Sequence, residues 1–236
     1  MSLEATVILV DNSEWARNGD YAPTRFGAQR DCVNIIANSK IGAHPESVVG
    51  LMTLAGSSPE MLAIPTNEHG NILNGLHRAS LGGEIHFEGA LQVAHLALKH
   101  RANKNQRQRI IVFVGSPIND DQKSLVRLGR RLKKNNIAVD VISLGEVEVN
   151  DAKLQAFIEA VNSGDTGTLL SVKPGSYLLS DSLRQSSILG GSSSAHTGGD
   201  MDNDEFEFGV DPSLDPELAM ALRMSLAEEQ NRQNAA

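Results

Sequence analysis

Two runs limit the fold more than anything else in the chain. Glu4–Val10 (EATVILV) is apolar through its second half and stops at Asp11, and Arg109–Val114 (RIIVFV) is more apolar still. Strands of this kind are buried on both faces, which happens where helices cover both sides of a mostly parallel sheet. The intervening sequence supplies those helices. Thr24 to Lys40 places Phe26, Val33, Ile36 and Ala37 at helical spacing, with Gly42 and Pro45 as stop signals. Further helices are predicted over 71–79, 88–100, 121–135 and 151–161, with a last turn or two over 177–185. Strands are predicted over 47–54, 61–66, 138–144 and 168–171, and the short turn at 55–60 (AGSSPE) joins two of them as an antiparallel hairpin. This alternation predicts a doubly wound α/β domain, 1–188, with a mostly parallel sheet and one antiparallel edge strand.

Beyond it the composition changes. Residues 190–208 (GGSSSAHTGGDMDNDEFEF) are Gly/Ser-rich and then acidic, so 189–213 reads as a disordered linker. The charge is also divided. Residues 200–236 carry ten acidic and two basic side chains, while residues 1–199 carry nineteen of each, so the whole formal charge of −8 sits on the tail. An acidic tail on a neutral domain argues against nucleic acid and for a basic protein surface. A single cysteine forbids an intramolecular disulfide and fits a reducing compartment. The first residues lack a basic region before their apolar run, and no apolar run approaches the roughly 18 residues of a membrane span. A soluble protein of cytoplasm and nucleus is expected, with no membrane partner.

The tail contains one strong helix signal, 214–231. Asp215 can cap it, Pro216 suits the first helical position, and Pro216 to Gln230 contains no Gly, no further Pro and no β-branched residue. Leu218, Ala221, Leu222 and Ser225 share one stripe, two leucines framing two small residues one turn apart. Glu217 precedes the stripe and Glu228 and Glu229 follow it. The pattern suits a partner with an apolar bump inside a basic ring. A tail helix folding back on its own domain would also use such a stripe, whereas a coiled coil needs about three or four heptads and only two fit. The pattern resembles the ubiquitin-interacting motif. The resemblance implies that Leu218, Ala221, Leu222 and Ser225 form the face against ubiquitin's isoleucine-centred apolar patch, with Glu217, Glu228 and Glu229 as the acidic flank.

In open α/β sheets ligands gather beyond the carboxyl ends of the strands. Asp11-Asn12-Ser13-Glu14-Trp15 follows the first strand, and Gly115-Ser116-Pro117-Ile118-Asn119-Asp120-Asp121 follows the central one. With the strand–helix order, these resemble a von Willebrand factor A domain, whose first strand usually ends in Asp-x-Ser-x-Ser at a metal site. Asp11 and Ser13 remain here. Trp15 replaces the second serine, no hydroxyl stands near Ile85-His86, and Ser116 takes the place of the metal aspartate. That leaves too few oxygens for Mg²⁺, so neither metal nor other cofactor is expected. Asp11 then either bonds backbone amides in its turn or, with Ser13, contacts a docking partner at the sheet edge.

Taken together, the A domain, GSPINDD after its central strand and the motif behind a flexible tail resemble the ubiquitin-receptor subunits of the proteasome regulatory particle. The resemblance implies that the domain docks into the particle near the junction of lid and base while the helix captures polyubiquitin chains on substrates. A metal-dependent A-type binding module and a ubiquitin adaptor outside the proteasome are the alternatives. No enzyme is expected. The chain has no Walker loop, no Gly-x-Gly-x-x-Gly after a strand and no Gly-x-Ser-x-Gly, and Cys32 has no Cys-x-x-Cys partner. His95 and His100 stand five apart on one predicted helix, the wrong spacing for a shared metal face. Two basic clusters, Lys99 to Arg109 and Arg127 to Lys134, read as solvated faces or as docking surface for an acidic neighbour, since 4% aromatic residues leave little to stack on nucleic-acid bases.

Overall fold

A computed structural model describes residues 3–162, 167–175 and 177–189. Its sheet has six strands: β1 (Glu4–Val10), β2 (Val48–Thr53), β3 (Met61–Thr66), β4 (Arg107–Val114), β5 (Ile137–Leu144) and β6 (Leu169–Val172). They lie in the order β3-β2-β1-β4-β5-β6. All neighbours are parallel except β2 and β3, the antiparallel pair at one edge. The sheet therefore has the mostly parallel, doubly wound form predicted, with the most apolar run beside β1 at its centre.

Six helices cover it: α1 (Arg25–Ala43), α2 (His69–Arg78), α3 (Phe87–Lys99), α4 (Gln122–Lys134), α5 (Val147–Val161) and α6 (Leu179–Gln185). The alternation of side chains along a strand divides the core into two layers. Ala5, Val7 and Leu9 of β1 pack with α3, α4 and α5. Ile8 and Val10 point the other way, into α1, α2 and α6. All seven residues of β1 are buried, which is the physical reason its sequence runs apolar instead of alternating. The layer under α3 and α5 is locked by Phe87 and Phe157, whose rings meet edge-to-face with centroids 5.6 Å apart. Between α4 and α5, Gly129 allows close approach: a Cβ there would lie 3.0 Å from Phe157 O and from Ala160 Cβ.

The elements depart from expectation at a few ends. α5 begins four residues earlier than predicted, because Val147 and Asn150 are buried and extend its inner face past the polar Glu148. A short 3₁₀ turn, Glu14–Arg17, was not foreseen, being too short to carry a period of its own. The linker 189–213 and the helix 214–231 lie outside the described residues, apart from Leu189 at the end of a 3₁₀ turn. Among the described residues no helix is long and apolar enough to cross a membrane. Phe157→Ala should cost roughly 3–5 kcal/mol, since it removes a fully buried ring and leaves a cavity beneath Phe87. Urea unfolding of the full chain measures this.

Candidate functional site

β1 and β4 run side by side, so the loops following Val10 and Val114 meet at the carboxyl edge of the sheet. Asp11 joins them. Its Oδ2 accepts from Gly115 N at 2.8 Å and from Ser116 Oγ at 2.7 Å, and its Oδ1 accepts from Ser13 N at 2.9 Å. Its backbone is held as well: Asp11 N donates to Gln29 Oε1 at 2.8 Å, and Gln29 Nε2 donates to Asp11 O at 3.2 Å. Asp11, Ser13 and Gln29 are fully buried. Asn12 pins the same loop to its other neighbours, accepting from Ala55 N at 2.8 Å and donating to Ser80 O at 2.8 Å.

This donor set does not fit a divalent cation. One carboxylate is committed to three hydrogen bonds, and the Ser13 and Ser116 hydroxyls and Gln29 Oε1 beside it are all uncharged, the last already accepting from Asp11 N. A hard ion such as Mg²⁺ needs several oxygens in near-octahedral array, usually including more than one anionic group from protein or ligand. Ser13 Oγ is buried without a hydrogen-bond partner among the described residues. It is a single neutral oxygen and cannot make good the missing charge.

A cation is nevertheless built into this edge, supplied by α1. Arg25 is 4% exposed and bonds Asp20 through Nε and Nη2, the Glu146 carboxylate at 3.3 Å, and the Gly115 carbonyl through Nη1. Three loops are thereby tied to one guanidinium. Gly145 makes room for it: its φ is +75°, and a Cβ there would lie 2.2 Å from Arg25 Cζ. Tyr21 adds a second tie, its hydroxyl donating to Val172 O and accepting from Gly145 N at 3.0 Å. Asn150 from α5 adds a third, accepting from Ile118 N and donating to Ser116 O, both at 2.9 Å. The hydrogen bond from Arg25 holds the Asp20 carboxyl below its usual range. Burial opposes the Arg25 charge, but Asp20 and Glu146 more than offset that, and its pKa rises.

The charged residues of this clasp were not foreseen. One signal was available: Arg25 opens α1, where a cation opposes the helix dipole and no acidic residue occupies the first turn. A cation in that position needs carboxylates from elsewhere in the chain.

Of the two readings of Asp11, the structure carries the first. Its carboxylate bonds loop donors, and neither it nor Ser13 reaches the surface, so the expected direct contact with a docking partner is corrected to a supporting role. The neighbouring 3₁₀ turn is exposed at this edge, with Trp15 44% exposed beside the surface ion pair Glu14–Arg17, as is Asn119 in the loop after β4. The expected ubiquitin contacts Glu217, Leu218, Ala221, Leu222, Ser225, Glu228 and Glu229 all lie outside the described residues. Cys32 is buried, and its thiol is pushed up to about 12, chiefly by that burial, so it stays protonated and unreactive. No group of three or more His, Cys, Asp or Glu side chains among the described residues is placed to hold a metal.

Comparison with known proteins bears on this geometry. Residues 6–117 match the von Willebrand factor type A domain family. Over its full length the chain is 50% identical to the 26S proteasome regulatory subunit rpn10 of Schizosaccharomyces pombe, covering 94% of that protein. The chain belongs to the Rpn10 family. A second relative, the 26S proteasome non-ATPase regulatory subunit 4 homolog of Arabidopsis thaliana, is 47% identical across the whole chain, which spans 63% of that longer protein. The crystal structure of the SpRpn10 VWA domain superposes with a TM-score of 0.76 at 52% identity, covering 79% of this chain and 96% of that one. In this chain the A-type match and the carboxyl-edge geometry both lie in the N-terminal portion.

Asp20 gives a pH test of the clasp. A carboxyl whose folded pKa is depressed stabilises the fold above its ordinary value of 3.8, and that contribution disappears as pH falls through the lowered folded value. The stability difference between wild type and Asp20→Asn should therefore be constant near neutrality and close below pH 3.8. Urea midpoints measured across the acid range check this, and a gap independent of pH would contradict it.

Proposed function

We propose that the chain is a non-catalytic ubiquitin receptor of the proteasome regulatory particle, resident in cytoplasm and nucleus. The observation that carries the reading is the 50% identity, along the entire chain, to a protein named as a 26S proteasome regulatory subunit. The tail pattern supplies the rest: Leu218, Ala221, Leu222 and Ser225 form the ubiquitin-binding stripe, and Glu217, Glu228 and Glu229 meet basic residues around the patch. The domain over 1–188 docks to the particle, the segment 189–213 serves as tether, and 214–231 is the capture helix. A metal-dependent A-type module is not favoured, because the Asp11 carboxylate is already taken up by loop donors.

Two leucines and two small residues bury only a few hundred Å² of apolar surface. At about 25 cal/mol per Å² the gross gain is modest, and ordering a helix takes a few kcal/mol from it. Binding to one ubiquitin is therefore weak, with Kd on the order of 10⁻⁴ M. Chains of ubiquitin raise retention because several copies of the patch stay near one helix. Weak single contacts also permit release.

Titration of labelled ubiquitin with the full chain should shift resonances around its isoleucine-centred patch. Ala221→Asp or Ser225→Asp should abolish those shifts, and shifts that survive both changes would dismiss the assigned face.

Docking uses the edge that Asp11 and Ser13 shape, with Trp15 as its exposed aromatic anchor. Trp15→Asp should lower recovery of regulatory-particle subunits in affinity purification about tenfold while leaving ubiquitin binding intact. Undiminished recovery would move the docking surface elsewhere on the domain.

A further inference from the structure

The opposite, amino edge of the sheet holds a groove for which the proposed function has no use. A cavity of about 440 Å³ opens beside the first residues of β4 and β5, with Arg101, Lys104, Gln106, Arg107 and Lys133 in its wall and Val161 on its apolar side. Its charge is unbalanced. The buried carboxylates at this edge are satisfied internally: Lys40 lies 3.1 Å and Arg109 3.5 Å from Glu4, and Arg109 also bonds Asp140, while the exposed Glu46 carboxylate, outside the groove wall, accepts from Asn103 Nδ2 at 3.2 Å. Arg101 instead donates to three carbonyls, those of Leu98, Lys104 and Gln106. Lys104 donates to Lys99 O and Lys133 to Asn162 O, both neutral acceptors. Arg107 is exposed. Among the described residues, none of these four cations has a carboxylate partner.

Helix ends explain part of this excess. α3 and α4 both finish at this edge, and basic residues complement their carbonyl ends. Each such end carries only about half a negative charge, so two of them offset roughly one of the four positive charges. The surplus suits an anion.

Gln106 says which kind. It is 5% exposed, its Nε2 donates to Glu46 O at 2.7 Å, and that bond fixes which way the amide faces. Its Oε1 is buried with no hydrogen-bond partner among the described residues. A fixed acceptor in the wall of a cationic groove asks for an N–H donor from the ligand. Phosphate and phosphodiester oxygens offer none, whereas a peptide main chain offers one per residue. Among the described residues no aromatic side chain lines the groove, so a nucleic-acid strand would find nothing there to stack on.

We infer that this groove binds an acidic peptide segment of another polypeptide. Aspartate or glutamate side chains of that segment pair with Arg101, Lys104, Arg107 and Lys133, and a main-chain N–H donates to Gln106 Oε1. The site involves no residue of 214–231, so its failure would leave the ubiquitin-binding reading untouched.

The test uses the full chain, isotope-labelled, and a synthetic Asp/Glu-rich peptide of about ten residues, with an oligothymidine of similar length as the rival probe. The peptide should shift the Gln106 side-chain amide resonances and bind saturably, several-fold more weakly when salt is raised from about 0.1 to 0.5 M. Arg107→Glu and Lys133→Glu, both at exposed positions, should each weaken it about tenfold. Arg127→Glu, on the far half of α4, should leave it unchanged. Tighter binding of the oligothymidine would overturn the inference, as would peptide shifts confined to other surfaces or equal loss in all three variants.

Discussion

The hydrogen bonds from the β4 loop to the Asp11 carboxylate are the interaction on which the carboxyl edge depends. They exist because β1 and β4 are parallel neighbours whose ends fall within one residue of each other in register, bringing Asp11 beside Gly115 and Ser116. That alignment in turn follows from burial on both faces. With helices packed above and below, neither strand can shift by one residue without turning its inner side chains to the wrong layer. A carboxylate is the group that suits this position. Both oxygens accept, so three donors can be met at once, whereas an amide in its place would turn an N–H toward one of them. Hydrogen bonds of this kind between ionised acceptor and backbone donor are among the stronger ones.

Arg25 addresses the same edge from below. A buried guanidinium with two carboxylates and a carbonyl around it gains little net stability, because desolvation takes back much of what the charges supply. Its effect is geometric. By bonding Asp20, Glu146 and Gly115 together it sets where three loops stand, and Gly145 is the one residue type that lets it lie so close. Loop placement in A-type domains is often governed by an ion held between strand ends, as the resemblance implies. Here Arg25 and Asp11, encoded in the chain, tie the same loops together.

Much of the architecture was legible beforehand because it rests on local signals. EATVILV and RIIVFV announced strands buried on both faces, and AGSSPE announced the antiparallel edge. The engagement of the Asp11 carboxylate by the β4 loop, through Gly115 N and Ser116 Oγ, was not readable from the two loops taken singly. What could not be read was depth. Asp11 looks the same in sequence whether it faces solvent or the β4 loop, and only the alignment of two strands 104 residues apart decides it. The same holds for Arg25 and Glu146, separated by 121 residues and joined only when the sheet has formed. The start of α5 was misplaced for a milder reason, since Val147 and Asn150 flank a polar stretch that hides their common inward face.

The two polar margins of the sheet are kept apart by the strands themselves. β4 is eight residues long, which at about 3.3 Å per residue sets its ends roughly 25 Å from each other. A body seated against Trp15 and a second one near Arg107 would not collide, and the hydrogen-bonded core between them would transmit push and pull as a stiff strut. Surfaces on the two margins of the sheet are therefore held at a set distance from one another.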